Sequence, residues 1–296
     1  MKIGMALPAQ AAGVTRRDVL GFAERVERHG LDSIWSLDRL VYESLAPLPA
    51  LALAAAVTER VTLGTSILLA NLWNPVLLAK EVATLQRLSE GRFILGMALG
   101  AREPDFQAAG VSMKTRGRRF EETIAIVRQA AAGQPIAHRG SVFQIEVGPV
   151  ALPGTPVPPV WLGGFAEAAV RLGDGFLVGG RGPAYGREAV PLVRKLAAEA
   201  GRDVKTFPIA AGMYGHFDSN RDRAARTMAD YIQAYYGRLI FDPPAGSIVG
   251  GVPEAVARIK EYAALDIDTL LIVPISRDPE QVDRLAEAVA AFRQSQ

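Results

Sequence analysis

The sequence predicts a (β/α)8 barrel, and three observations carry that prediction. Short β-rich apolar runs alternate with longer segments whose apolar residues recur at helical spacing, the pattern of βα units built on a parallel sheet. Eight such runs, each followed by a helix, fall within 296 residues, which suits a barrel of about 250 residues plus insertions. The first run leads into Leu7-Pro8-Ala9-Gln10-Ala11-Ala12-Gly13, which lacks the Gly-rich dinucleotide fingerprint of a doubly wound open sheet, the competing architecture. The nearest approach, Gly173 to Gly179, has the wrong spacing and sits on a strand, and no P-loop is present.

The elements follow in order. Lys2–Leu7 is the first strand, and Val19, Phe22, Ala23 and Val26 share one face of the helix that Gly30 ends. Ser33–Leu37 is followed by a helix over Pro49–Thr58. Val61–Leu69 runs past Asn74-Pro75 into a helix with Leu78, Val82 and Leu85 on one side and Gly91 as its stop. Phe93–Leu99 precedes a helix over 117–132 with Phe120, Ile124 and Val127 inward. Residues 133–158 break the rhythm with Gly and Pro, and Ser141–Val147 reads as one strand of a small hairpin. We read this stretch as an excursion within one domain spanning 1–296. The rhythm resumes with Val160–Leu162, Gly175–Val178, Phe207–His216 and Thr269–Val273 as strands. Their helices cover Ala166–Leu172, Arg187–Ala200, Asp222–Tyr236 and a last one carrying Val282, Leu285, Val289 and Phe292, with a further helix over Pro253–Ala264.

Composition narrows the function. Lys plus Arg number 33 against 31 Asp plus Glu, a net charge of +2, without the concentrated basic stripe that nucleic acid requires. The chain has no Cys, which removes disulfides, thiolate ligands and cysteine nucleophiles and suits a reducing cytoplasm. Its three His, at 29, 138 and 216, lie far apart, so no metal site is expected. Neither a signal peptide nor an apolar stretch of roughly 18 residues for a membrane span is found.

In a barrel, chemistry belongs at the C-terminal ends of the strands. That filter selects Asp38 and Arg39 after strand 2, Thr65, Ser66 and Trp73 along and after strand 3, and Gly100 after strand 4. It also selects Gly163, Gly164 and Phe165 after strand 5, Gly179, Gly180 and Arg181 after strand 6, and Tyr214 and His216 at the end of strand 7. The two glycine pairs each precede a helix, where exposed N–H groups and the helix terminus favour a phosphate. Tight turns alone also account for them. His216, with Tyr214, is the candidate for proton transfer, against a merely hydrogen-bonded structural His. Arg39 cannot donate a proton at neutral pH but can hold an anionic oxygen, or simply pair with Asp38 or a helix-end carboxylate. Trp73, Phe165 and Met213 are candidates for an apolar substrate wall, while Tyr235 and Tyr236, on or after a helix, are equally explained by packing.

Arg60 to Ile67, Asn74-Pro75, Ala79-Lys80, Thr84-Leu85, Leu88 to Arg92, Leu95-Gly96 and Arg116 to Glu122 together resemble the most recognisable block of the bacterial-luciferase-like flavin oxidoreductases. Pro159 to Gly164, Asp174-Gly175 and Val252 to Val256 resemble that family's later landmarks. The resemblance implies a barrel enzyme using coenzyme F420 or reduced FMN, a homodimer, and no metal. It places a non-prolyl cis peptide at Ser66-Ile67, backing the cofactor ring. Asp38, Arg39 and Thr65 would meet the ring edge, and Gly163, Gly164, Gly179 and Gly180 the phosphate. Many deazaflavin members carry His where this chain has Arg39, and the sugar-phosphate dehydrogenases also use a Glu where it reads Gly100-Ala101, which argues against glucose-6-phosphate chemistry. The expected function is F420-dependent hydride transfer to or from a small, largely apolar substrate. The alternatives are a monooxygenase fed reduced FMN by a flavin reductase, a non-catalytic flavin-binding subunit, and a hydrolytic barrel enzyme, for which no carboxylate pair is evident.

Overall fold

The computed structural model describes residues 1–295. The chain opens with β1 (Lys2–Ala6), α1 (Arg16–Arg28), β2 (Ser33–Ser36), α2 (Pro47–Ala55), β3 (Thr62–Thr65), α3 (Pro75–Leu88) and β4 (Phe93–Met97). It continues through α4 (Glu103–Ala108), α5 (Arg116–Ala131), β5 (Ile136–Arg139), β6 (Gln144–Val147), β7 (Val160–Gly163), α6 (Ala166–Leu172), β8 (Gly175–Val178) and α7 (Pro183–Glu199). The last quarter holds β9 (Ile209–Phe217), α8 (Arg221–Tyr236), α9 (Pro243–Gly246), β10 (Ile248–Gly250), α10 (Val252–Ala263), β11 (Thr269–Pro274) and α11 (Glu280–Gln294). Eight parallel strands, β1, β2, β3, β4, β7, β8, β9 and β11, pair in that order, and β11 returns to β1 with Lys2 opposite Thr269. The predicted (β/α)8 barrel is the fold, and the β5–β6 hairpin lies between its fourth and fifth strands.

Two apolar layers hold it. Strand residues such as Ile3, Leu63, Leu95 and Ile209 pack outward against helix faces such as Val19, Phe22 and Val26 of α1. The opposite strand faces fill the barrel, where Trp35 and Trp161 lie 5.9 Å apart. Gly64 makes room for that filling, since a Cβ there would sit 2.4 Å from the Trp35 ring. Helix starts follow sequence signals: Thr15 and Asp18 form a capping box on α1, and Asn74 caps α3 with Pro75 as its first residue.

The structure differs from the sequence reading where local rules are overridden. The third strand ends at Thr65 rather than Leu69; the Ser66-Ile67 peptide that follows is cis, and pairing with β4 resumes only as a single bridge between Leu68 and Met97. Glu103–Ala108 is an unforeseen helix after β4. Beyond its pairings with β8 and β11, β9 runs on to Phe217 and takes β10 as a third neighbour, with His216 opposite Val249. Three residues ending in Gly250 are too short to announce a strand by period.

Candidate active site

The C-terminal ends of the strands surround two joined chambers. The outer has a volume of about 750 Å³ and is lined by Asp38, Arg39, Leu69, Asp105, Tyr235 and Arg238, among others. The inner, about 230 Å³, is lined by Gly163, Gly164, Tyr185, Gly212, Tyr214 and Leu271, among others. Leu37, Ser66, Ile67, Gly179, Gly180, Arg181 and Tyr236 line both. Their combined size suits a cofactor with a small substrate.

Strand order explains who meets here. Asp38 follows β2, and its carboxylate accepts the Leu69 N–H at 2.9 Å, tying the β2 end to the segment after the cis bulge. Burial raises its pKa from 3.8 to about 6, and nearby Asp105 pushes the same way. Asp105, on α4, is itself buried and accepts from the Val41 N–H at 2.8 Å and from Arg102 at 3.3 Å. Arg39 pairs with neither Asp38 nor a helix-end carboxylate. Its guanidinium lies 3.7 Å from the Tyr235 ring centroid and donates to the Tyr235 carbonyl at the end of α8. It is a brace between the β2 loop and α8, with its charge still facing the cavity.

The glycine loops fit an anionic cofactor. A Cβ at Gly164 or Gly179 would meet nothing within 4 Å, so backbone at both positions is open to close approach. Gly179 to Gly182 lead directly into the 17-residue α7, whose N-terminus favours negative charge. Arg39, Arg102, Arg181 and Arg238 outnumber Asp38 and Asp105 on the outer chamber wall. Tyr214 is buried, and its hydroxyl lies 2.8 Å from that of Tyr236.

Several sequence-selected residues lie elsewhere. Thr65 is fully buried, and its hydroxyl donates to Gly96 O at 2.7 Å and accepts from Gly96 N at 3.0 Å, clamping β3 to β4 rather than meeting a ring. Thr65→Val is therefore expected to cost about 1–3 kcal/mol of stability by stranding the Gly96 N–H while leaving cofactor affinity unchanged; urea unfolding and a binding titration check both. Met213 belongs to the outer layer, because it precedes the inward-facing Tyr214 by one strand residue. Trp73 packs against that same layer, its carbonyl held by Arg119 at 3.0 Å. Phe165 is 61% exposed at the start of α6, and Gly100 packs toward Leu69 and Phe106. His216 lines neither chamber, being held in the β9–β10 ladder, and its Nδ1 is buried without a partner. Burial lowers its pKa. Tyr235 and Tyr236, which the sequence leaves open between pocket and packing, line the outer chamber, and Asp105 and Arg238 line it without having been singled out by the sequence.

Among the described residues, no helix is long and apolar enough to cross a membrane, and no His/Asp/Glu cluster is arranged to hold a metal. The family model described as luciferase-like monooxygenase matches residues 1–269. An F420-dependent glucose-6-phosphate dehydrogenase of Amycolatopsis mediterranei is 28% identical, over 95% of each chain. A 5,10-methylenetetrahydromethanopterin reductase of Methanolobus tindarius is 28% identical over 78% of this chain and 73% of its own length. The structure of an F420-dependent secondary alcohol dehydrogenase, in complex with an F420-acetone adduct, superposes with a TM-score of 0.83, at 19% identity over 99% of both chains.

Proposed function

This chain belongs to the luciferase-like monooxygenase family, and from that premise we propose that it is a coenzyme F420-dependent oxidoreductase acting on a small, largely apolar substrate. The observation that carries the reading is the placement of Ser66, Ile67, Gly179, Gly180 and Arg181 on the walls of both chambers, so that one continuous cavity joins the bulge to the glycine loop. The F420-dependent relative that aligns over 95% of each chain, and the F420-bound structure of the same fold, support the choice of cofactor.

Ser66 and Ile67 would back the ring, and the Gly163-Gly164 and Gly179-Gly180 backbone, with Arg181, would hold the phosphate. When bound, the reduced deazaflavin supplies a hydride. Asp38 meets the other requirement of such a reaction, a proton at the reacting end. With a pKa of about 6, its carboxyl is poised to hold or release one near neutrality. Leu37, Ile67, Leu177 and Val273 keep the inner chamber apolar and limit water. Arg39 holds α8 across the outer chamber through Tyr235. Tyr214 and Tyr236 are kept protonated by burial, so they act as hydrogen-bonding groups rather than bases.

The proposal extends to a single-domain homodimer in the cytoplasm. Exposed Leu77 and Leu88 share one face of α3, and Leu152 lies in the connector that Lys80 and Arg87 hold against that helix, which supports an apolar contact surface. Titration with F420 and, separately, with oxidised and reduced FMN tests the cofactor. Micromolar binding of F420 alone, roughly −8 kcal/mol, is the expected result. Preference for reduced FMN would replace the reading with a monooxygenase served by a flavin reductase.

A further inference from the structure

Tyr214 and Tyr236 meet where the chambers join, Oη to Oη at 2.8 Å. Tyr236, the last residue of α8, lines both chambers, and Tyr214 lines the inner one. Burial holds both phenols above their ordinary range, so each keeps its hydrogen at neutral pH. Two hydroxyls carry two hydrogens, and the bond between them uses one. Neither oxygen has another hydrogen-bond partner among the described residues. One O–H donor is therefore left over at the edge of a chamber walled by Leu37, Ile67, Leu177, Leu271 and Val273.

The pair is also held still. The Tyr214 ring stacks on Phe241 at 6.1 Å and 22°, and meets Tyr236 edge-on at 88°. Arg39 lies over Tyr235 and 5.3 Å from the Tyr236 centroid, fixing the end of α8 that carries the second hydroxyl. Tyr236 is 37% exposed where the chambers meet, so its hydroxyl is open to solvent; a ligand that displaces solvent from this rigid donor, which has no protein acceptor, must supply an acceptor in its place.

We propose that the Tyr214–Tyr236 pair is the donor site for a carbonyl-type oxygen of the bound ligand, with Arg39 as the residue that positions it. The proposal rests on reading the cavity as the cofactor and substrate site. That oxygen belongs either to the deazaflavin ring or to a ketone substrate, and the two sources separate experimentally.

The test compares wild type, Tyr214→Phe, Tyr236→Phe and the double variant in two titrations. The first uses F420. The second compares cyclohexanone with methylenecyclohexane, which has the same ring but no oxygen, on the F420-bound protein and on the protein alone. If the ring supplies the oxygen, the double variant binds F420 about tenfold more weakly. If the substrate supplies it, F420 binding is unchanged, wild type prefers cyclohexanone by about tenfold, and the double variant loses that preference. Each single variant keeps part of the effect, because either hydroxyl alone still carries a free hydrogen, an outcome that mere packing would not give. The wild-type preference needs no variant to fold. Unchanged F420 affinity together with an unchanged or absent ketone preference overturns the proposal. Failure of wild type to bind F420 while it prefers cyclohexanone would instead overturn the cofactor reading and leave the donor site standing.

Discussion

Asp38→Asn is expected to stabilise the fold above pH 6 while lowering turnover by a factor of about 10² or more. Both effects come from one cause. The carboxyl sits among residues that exclude water, which raises its pKa from 3.8 to about 6. Between those two values the folded state binds more protons than the unfolded chain, so wild-type stability falls as pH rises through the window and stays lower above it. The full difference is on the order of 3 kcal/mol at neutral pH. Asn has no charge to bury and keeps an oxygen for the Leu69 N–H, the one backbone contact the carboxylate makes across the loop. The variant should therefore match wild type in urea unfolding near pH 4 and exceed it from pH 6 to 8. Turnover should fall because the amide neither holds nor releases a proton, measured as F420 oxidation or reduction in a screen of enones, imines and alcohols. A stability difference that is the same at pH 4 and pH 8 would mean that Asp38 does not titrate in that window. Unchanged turnover would remove it from proton transfer.

The strand ends were legible in the sequence because period and punctuation mark them locally. Asp38, Gly163 and Gly179 fall at or just after the end of an apolar run, Ser66 lies within the Val61–Leu69 run and is marked by the family resemblance, and the structure brings all four to the walls of the two chambers. What local pattern does not carry is which way a side chain turns and what a distant segment brings. Met213 and Tyr214 are neighbours on β9, yet pleating sends one outward and the other into the barrel. The run's boundaries do not fix that parity, since β9 is nine residues long and its last turn of ladder belongs to β10. Thr65 was misplaced for a related reason. Its side chain turns toward β4, where the hydroxyl is buried on Gly96 instead of reaching the mouth. Tyr236 reaches Tyr214 across 22 residues of chain, and Arg39 reaches Tyr235 across 196. Tertiary closure makes those contacts, and no spacing rule within one element predicts them. The same closure turns Arg39 from a free charge into a brace.

Gly179→Val is expected to leave folding within about 0.5 kcal/mol of wild type and to weaken F420 binding by about 10² or more. The two halves separate because of where the residue stands. Gly179 is exposed, and a Cβ there would touch no atom within 4 Å, so the fold has room for the added side chain. Yet the residue lines both chambers beside Gly180 and Arg181, just before the start of α7. A phosphate held by backbone N–H groups must come within about 3 Å of them, and an isopropyl group on that loop occupies the approach. Each charge-assisted bond lost costs about 1.5–3 kcal/mol, so the loss of two accounts for the fall. Arg181→Ala, tested beside it, should weaken binding less, since it removes one exposed charge and leaves the helix terminus and open backbone in place. Melting curves and F420 titration on the same preparations decide the matter. Wild-type affinity in the valine variant would show that this loop does not hold the phosphate and would shift that role to Gly163 and Gly164, which line the inner chamber. A variant that binds poorly because it is unfolded would show a displaced melting transition, which the open space around Gly179 argues against.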